Sequence, residues 1–588
     1  MSKQQNTAGE DQWLDAVEAA SNLTRSQYLI WLGQKLAPAS PLYNMIFETR
    51  LEGPLDADAF ASAWDIVVAN NEALRAIIEE RGGVPRWVCP PQASTSLVRI
   101  AFDHEHDPAA AYEAWLAADK TKPFDLARGL TRSILIRLGP EEHVWFLNQH
   151  HLVTDAWSCT LIRRRLAGAY ARLTGAATGA GEDTGTPGDY EACREEERAW
   201  RGSEQAAELR AYWSERTQAT LPRLAFFGHT AHGRDNATRR LQQRLSPRRV
   251  AAVTEAAGQP PFRGITPAQS LANLLYTAMF AWLARATGES RLVIGMPVHN
   301  RASRRQRSTV GLFMEIFPVE VTVDMDARLS DLGGRVAAAM LETLARARAG
   351  ISDSAMQRSF EVVINFLPMT MPGFPGLEHS TRWVHADAGD VGHRLRLPVH
   401  DLDGTGGLTL EFEFARQLFP PALRSLAVEQ FNAIVEALLA MSDVPLSALS
   451  LPAGEQPLAR TVAPPARPRA GTAAPEATED SGADGQAGGE SAPPEGPVET
   501  RLAALWRELL AIEDPGRHDS FFDLGGASLT AVQLIAEIEE AFGIDFPLER
   551  LFDAPTIAGL ASRIEADLLR EIEALSDDEA AALLRKLG

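Results

Sequence analysis

His150-His151-Leu152-Val153-Thr154-Asp155-Ala156-Trp157-Ser158 is the stretch on which the reading of this chain turns. Two adjacent histidines, an acid four positions on and a serine point to acid-base chemistry of the acyl-transfer kind. The preceding residues 142–149 (EHVWFLNQ) form a short apolar run that predicts a strand. From Ala156 onward, Leu161, Ile162, Leu166, Ala169, Tyr170 and Leu173 recur at helical spacing. The motif therefore belongs on a strand-to-helix turn. Side chains on extended backbone alternate between faces, so only one of His150 and His151 addresses a given cavity while the other supports it. A histidine positioned as a general base near neutral pH contributes roughly 10²- to 10⁴-fold in rate. Asp155 is either a triad acid or a loop clamp that pairs with an arginine or a backbone N–H. The plainer alternative is a histidine pair satisfied at a strand end, with Ser158 capping the helix.

A second cluster lies near the other end, where residues 519–530 read DSFFDLGGASLT before a helical run. Gly525 and Gly526 permit a tight turn, and Ser528 stands at or beside the new helix start. A phosphodiester on that hydroxyl would meet free N–H groups and the positive end of the helix dipole. The alternative is a plain N-cap serine.

Together the two clusters resemble one family, a nonribosomal peptide synthetase fragment with a condensation domain of the HHxxxD type followed by a peptidyl carrier protein. Residues 23–44 (LTRSQYLIWLGQKLAPASPLYN) and 70–75 (NNEALR) are similar to the first two condensation motifs, and HHLVTDAWS to the third. Residues 294–301 (IGMPVHNR) with 310–321 (VGLFMEIFPVEV) resemble the fifth, and 362–367 (VVINFL) and 408–419 (LTLEFEFARQLF) resemble later core strands. The LGGxS signature falls on residues 524–528.

The resemblance implies an α/β fold of two chloramphenicol-acetyltransferase-like lobes, plus an all-α four-helix carrier bundle on a flexible linker. It implies His151 as the catalytic residue at the floor of a tunnel between the lobes, with His150, Asp155, Ala156, Trp157 and Ser158 as its supporting motif and Asp155 chiefly structural. It implies 4'-phosphopantetheine on Ser528, beside Gly525 and Gly526. Two departures stand out: Ala156 replaces the usual glycine, and Met314 and Glu315 replace a small or branched residue and an asparagine. Glu315 is expected to be solvated or salt-bridged. The DxxxxD replacement of heterocyclisation domains is absent, and the order of domains favours condensation over epimerisation.

A chain of 588 residues with 45% hydrophobic content is expected to build several lobes. The expected division is an N-terminal extension 1–19, an N-lobe 20–189, a C-lobe 190–452, a disordered linker 453–496, a carrier 497–570 and a helical tail 571–588. The linker is rich in Pro, Ala, Gly, Glu and Ser, and a coil of that length spans roughly 35 to 40 Å r.m.s.. In the carrier, helices are expected over about 498–511, after Ser528, near 548–552 and over 556–567, with Leu529, Val532, Leu551 and Phe552 in its core or facing partners.

The net charge of −21 argues against nucleic-acid binding. Arg163-Arg164-Arg165 and Arg304-Arg305 read as solvated faces, either of which would suit an acidic carrier. Cys89, Cys159 and Cys193 lack ligand or disulfide spacing, so no metal is expected. No secretory leader or span is expected either, since the apolar run near 271–283 is too short to cross a bilayer, and this predicts a cytoplasmic enzyme without a membrane partner. No adenylation domain fits between condensation region and carrier. The expected partners are therefore an upstream donor carrier, an adenylation or acyl-loading enzyme acting in trans and a phosphopantetheinyl transferase; the tail is either a docking segment for a downstream subunit or a frayed helical extension. Ester formation with a hydroxyl acceptor and a noncatalytic recruitment platform are the alternative functions.

Overall fold

The structure is a computed structural model that describes residues 20–90, 95–176, 188–217, 223–230, 237–389, 392–440, 444–453 and 492–510. Beyond 510 it describes 512, 514–521, 524, 534, 535, 537–539, 541, 542, 544, 546, 550, 551 and 554–574. Apart from 232–234, residues up to Pro457 form one compact unit and those from Leu458 a second.

The first unit holds strands β1 (Asn44–Glu52), β2 (Ile77–Arg81), β3 (Val84–Val88), β4 (Val98–Ala101), β5 (Thr131–Arg137), β6 (Glu142–His150), β7 (Thr238–Leu245), β8 (Arg291–Val298), β9 (Glu315–Thr322), β10 (Val362–Leu367), β11 (Glu378–Val384), β12 (Leu395–His400) and β13 (Leu408–Ala415). Its helices include α1 (Arg25–Leu36), α2 (Pro108–Asp119), α3 (Ala156–Thr174), α4 (Tyr190–Arg201), α5 (Glu204–Thr217), α6 (Pro267–Thr287), α7 (Leu329–Arg346) and α8 (Pro421–Leu439).

One sheet has the order β11-β1-β6-β5-β4 and the other β7-β13-β12-β10-β8-β9. Strand β11, far along the chain, pairs antiparallel with β1 and so completes the sheet otherwise built before residue 190. On β1, Ile46 joins Tyr112, Leu116, Ile134 and Phe146 on the α2 side. Its neighbours Met45 and Phe47 point the other way and pack with Cys159 and Ala156 of α3. The period-2 alternation of a strand thus wedges the sheet between α2 and the motif helix.

The second sheet divides more sharply. Leu395, Leu397, Val399, Leu410, Phe412 and Phe414 meet α6, α7 and α8 in the largest core, where each fully buried large side chain stabilises by about 1.5 to 3 kcal/mol. Helix α6 absorbs the apolar run near 271–283, capped by Thr266 and closed by Gly288 at φ 77°. The alternate residues Arg240, Arg396, His400, Glu411 and Glu413 make the opposite face charged.

Among the described residues, the second unit contains α9 (Gly496–Leu510) and α10 (Ile557–Ala574), with helical residues also at 534–535, 537–539, 541–542 and 550–551. Trp506, Phe521, Ile538, Phe546, Leu551 and Leu560 form its core. Helix α10 continues past the expected end near residue 567 to Ala574, because no glycine or proline interrupts LLREIEA. Leu551 is a core residue, while Leu529, Val532 and Phe552 lie outside the described residues, as do 1–19, 454–491 and 575–588. The charged stretch after residue 189 forms two helices, α4 and α5, broken at Gly202. Among the described residues no helix is long and apolar enough to cross a membrane.

Candidate active site

The motif sits where β6 ends, passes through a 3-10 turn over His151–Val153, and enters α3 at Ala156. Asp155 is the N-cap of α3: its carboxylate accepts from Ser158 N, and Gly175 in the left-handed conformation ends the helix. Ser158 therefore does not cap the helix as the plainer reading had it. The helix begins three residues too early for that, and Ser158 is wholly buried instead.

The two histidines differ in their surroundings. His150 is fully buried; its Nε2 lies 3.0 Å from Gln34 Oε1 and its Nδ1 accepts from Leu152 N at 3.2 Å. That pattern places the ring proton on Nε2, donated to Gln34. Burial, aided by neighbouring His151, drives its pKa down to about 3, so it stays neutral. His151 keeps part of its surface accessible, and its backbone N–H is fixed to Tyr43 O at 2.8 Å. Its Nδ1 is shielded from solvent and makes no well-directed hydrogen bond among the described residues, although the backbone of His151 and of Thr154 lies close enough to favour the protonated ring. Burial lowers its pKa from the usual histidine value, with Asp155 acting against that shift and Arg396 with it. A neutral imidazole can accept a proton.

Asp155 and Arg301 form a clamp. Asp155 Oδ1 accepts from Arg301 Nη2 at 2.9 Å as well as from Ser158 N at 2.8 Å, and Oδ2 accepts from Phe313 N at 3.1 Å. Arg301 Nη2 also donates to Ser158 Oγ and Gly311 O, and its guanidinium lies 4.1 Å from the Phe313 ring centroid. Ser158 Oγ exchanges hydrogen bonds with both backbone groups of Gly311. Among the described residues no hydrogen bond joins Asp155 to His151. Trp157 adds a second tie, donating Nε1–H to Arg307 O at 3.0 Å beside the His299 ring. Ala156 packs its methyl against the Met45, Phe47 and Met371 cluster.

Two expectations about charged residues fail. Glu315 is neither solvated nor salt-bridged: it is 4% exposed and accepts from Ser26 Oγ, Gly350 N and Ser352 N, which tie α1 and the 350–352 loop to β9. Its strand position turns it inward, where backbone N–H groups supply what a cation would. Arg163 is likewise not on a solvated face. It lies buried and donates to Thr49 Oγ1, Thr381 Oγ1 and Pro372 O, holding α3 against β1 and β11, and burial pulls its pKa down to about 9. Arg164 and Arg304 are exposed, and Arg305 pairs with Glu196.

Ser528, Gly525 and Gly526 lie outside the described residues. The structure brings together His150, His151, Asp155, Ala156, Trp157 and Ser158, and adds Arg301, Gln34 and Glu315, each with a partner more than 100 residues away in sequence. Only the presence of Gln34, Arg301 and Glu315 within the motif-like stretches 23–44, 294–301 and 310–321 hinted at a role.

This is a two-lobed α/β enzyme fold with a histidine motif on a clamped strand-to-helix turn. Residues 17–457 match the Condensation domain family and residues 500–564 the Phosphopantetheine attachment site family. The chain belongs to the condensation-domain family and carries a domain for covalent 4'-phosphopantetheine. Among curated proteins it is 32% identical over 333 residues to an isonitrile lipopeptide synthase of Streptomyces coeruleorubidus, covering 55% of this chain and 22% of that protein. It is 30% identical over 335 residues to the phosphinothricin tripeptide synthetase PhsC of Streptomyces viridochromogenes, covering 55% of this chain and 30% of that protein. The chain thus spans less than a third of these relatives. Its fold is shared with the starter condensation domain of rhizomide synthetase RzmA, at TM-score 0.61 and 24% identity over 73% of this chain and 99% of that one. The first condensation domain of the CDA synthetase is equally similar in sequence, at TM-score 0.62 and 24% identity over 73% of this chain and 98% of that one.

Proposed function

We propose that this chain joins a carrier-bound acyl or peptidyl thioester to the amine of an acceptor tethered on its own carrier domain. The observation that carries the reading is the division of labour in the motif. His150 and Asp155 have their polar atoms committed to Gln34, Leu152 N, Arg301 and backbone N–H groups, while the His151 side chain is tied to no other side chain among the described residues and keeps partial access. The acceptor nitrogen attacks the thioester carbonyl, the C–N bond forms and the C–S bond breaks. His151 takes the proton from the attacking nitrogen and returns it to the departing sulfur, so the donor arm leaves as the thiol. An α-amine has a pKa of about 7.7 to 8.0, so much of it is already neutral near pH 7.5, and orientation at His151 contributes alongside basicity. Holding two tethered reactants in register supplies roughly 7 to 11 kcal/mol of the barrier.

Ser528 is the residue for attachment of 4'-phosphopantetheine, whose thiol carries the acyl group. Residues 458–499, between the two family matches, are fewer than the ~50 of a small domain, so nothing there selects an amino acid. That spacing supports loading in trans by an adenylation or acyl-loading enzyme after a phosphopantetheinyl transferase has acted. An upstream carrier in the cytoplasm then brings the donor, and a downstream subunit docks on the tail. The peptide-synthesising relatives named above are consistent with an amide product.

The test is a single turnover between an acylated donor carrier and the aminoacylated full chain, read by intact-protein mass spectrometry. His151→Ala lowers the rate by roughly 10²- to 10⁴-fold with Ser528 still fully modified. An unchanged rate removes His151 from the chemistry.

A further inference from the structure

The charged face of the second sheet carries a pair that the motif chemistry does not use. His400, at the end of β12, is 4% exposed, and neither ring nitrogen has a hydrogen-bond partner among the described residues. Its Nε2 lies 3.6 Å from Glu411 Oε2 on β13, beyond hydrogen-bonding distance. Glu411 is 2% exposed, and its Oε2, although 2.9 Å from Arg240 Nη1, also lacks a well-directed hydrogen bond. Buried polar groups are nearly always hydrogen-bonded, so His400, with both ring nitrogens unpartnered beside an ion-paired Glu411, is set to meet a polar group from the space it borders.

That wall faces a cleft of about 380 Å³, closed on the other side by β1 and β11 with Glu48 and Trp383. At roughly 30 Å³ per water the space holds about a dozen waters, and it falls in the range of small-ligand pockets. Its charges nearly balance: Arg382 pairs with Glu48, and Arg240 with Glu411. A hydrocarbon there would leave His400 stripped of water with no hydrogen-bond partner, and Glu411 with Arg240 alone. A neutral group that both donates and accepts, a hydroxyl or a carboxamide, satisfies both. The cleft wall continues along β12 toward Arg396, whose charge acts on His151; the four residues from Arg396 to His400 span about 13 Å at 3.3 Å per residue.

We propose that this cleft is a specificity subsite for the hydroxyl- or carboxamide-bearing distal end of the tethered acyl substrate, held between His400 and Glu411. The proposal rests on the condensation reading of His151. Pantetheine amides, in which nitrogen replaces the thioester sulfur so that no transfer occurs, separate the two questions. Calorimetric titration of the full chain compares 10-hydroxydecanoyl-, 9-carboxamidononanoyl- and undecanoyl-pantetheine amides. The two polar probes bind about tenfold more tightly than the alkyl one. His400→Phe removes that preference, Glu411→Gln weakens it, and the milder Thr409→Val on the same cleft wall weakens it without disturbing a buried charge. Equal binding of all three probes, tighter binding of the alkyl probe, or a preference that survives His400→Phe in a variant with wild-type melting behaviour overturns the subsite and shows a water-filled cleft. None of these outcomes bears on whether His151→Ala slows transfer.

Discussion

Removing the carboxylate of Asp155 tests the clamp at the motif. In Asp155→Ala, the Arg301 guanidinium, whose side chain is 0% exposed, loses its only carboxylate among the described residues, while Ser158 N and Phe313 N lose their acceptor. Breaking a buried pair from one side costs about 3 to 5 kcal/mol, which includes roughly 1 kcal/mol for the lost N-cap. Arg301→Met is milder, since Asp155 keeps two backbone donors; losing a hydrogen bond to a charged group costs about 1.5 to 3 kcal/mol. The double variant buries no unpaired charge, so its loss falls short of the sum by about 1.5 to 3 kcal/mol. Urea titration followed by tryptophan fluorescence measures all three, with Trp157 on the first turn of α3 as a local reporter. Transfer activity in the double variant rises above that of Asp155→Ala. Losses that add to within about 0.5 kcal/mol, or activity that stays at the single-variant level, refute the clamp and restore Asp155 as a participant in the chemistry.

Three further outcomes follow from the same geometry. His150 has a folded pKa of about 3 against an ordinary 6.5, so the unfolded chain binds a proton first as pH falls; stability is complete above 6.5 and declines toward 3, with about 2 kcal/mol gone by pH 5. Replacing His150 with Gln flattens that slope in urea titrations across this window, and an unchanged slope contradicts the assignment. Glu315→Gln sets an amide N–H against Gly350 N or Ser352 N and costs about 1 to 3 kcal/mol, seen as a lower urea midpoint, whereas a surface glutamate would show no change. Ala156→Gly removes a methyl from the Met45 and Phe47 cluster and loosens the first helical turn, costing about 1 kcal/mol with transfer rates within twofold; a larger kinetic effect would place the methyl on the substrate path.

Much of the architecture is legible locally. The apolar run before His150 and the spacing after Ala156 specify strand, turn and helix, because alternation and 3.6-residue periodicity are properties of neighbouring residues. The first and last carrier helices, α9 and α10, follow from the same signal, and α10 runs past its expected end where nothing stops it. Periodicity marks which residues share a face without saying what that face meets. The inward-turned charges of β12 and β13 and the burial of Arg163 and Glu315 were therefore invisible, since a charged residue reads as solvated until a sheet closes over it.

By itself, the sequence determined the class of fold, the histidine motif, the Ser528 signature and the separation of two domains by a low-complexity linker. Tertiary structure alone decided that β11 returns to complete the first sheet, that Arg301 closes on Asp155 across 146 positions, and that His400 and Glu411 face one cleft. The reason is physical. A local pattern fixes backbone conformation within a few residues, whereas an ion pair or a shared cavity exists only after distant segments have been packed together and water has been removed from between them.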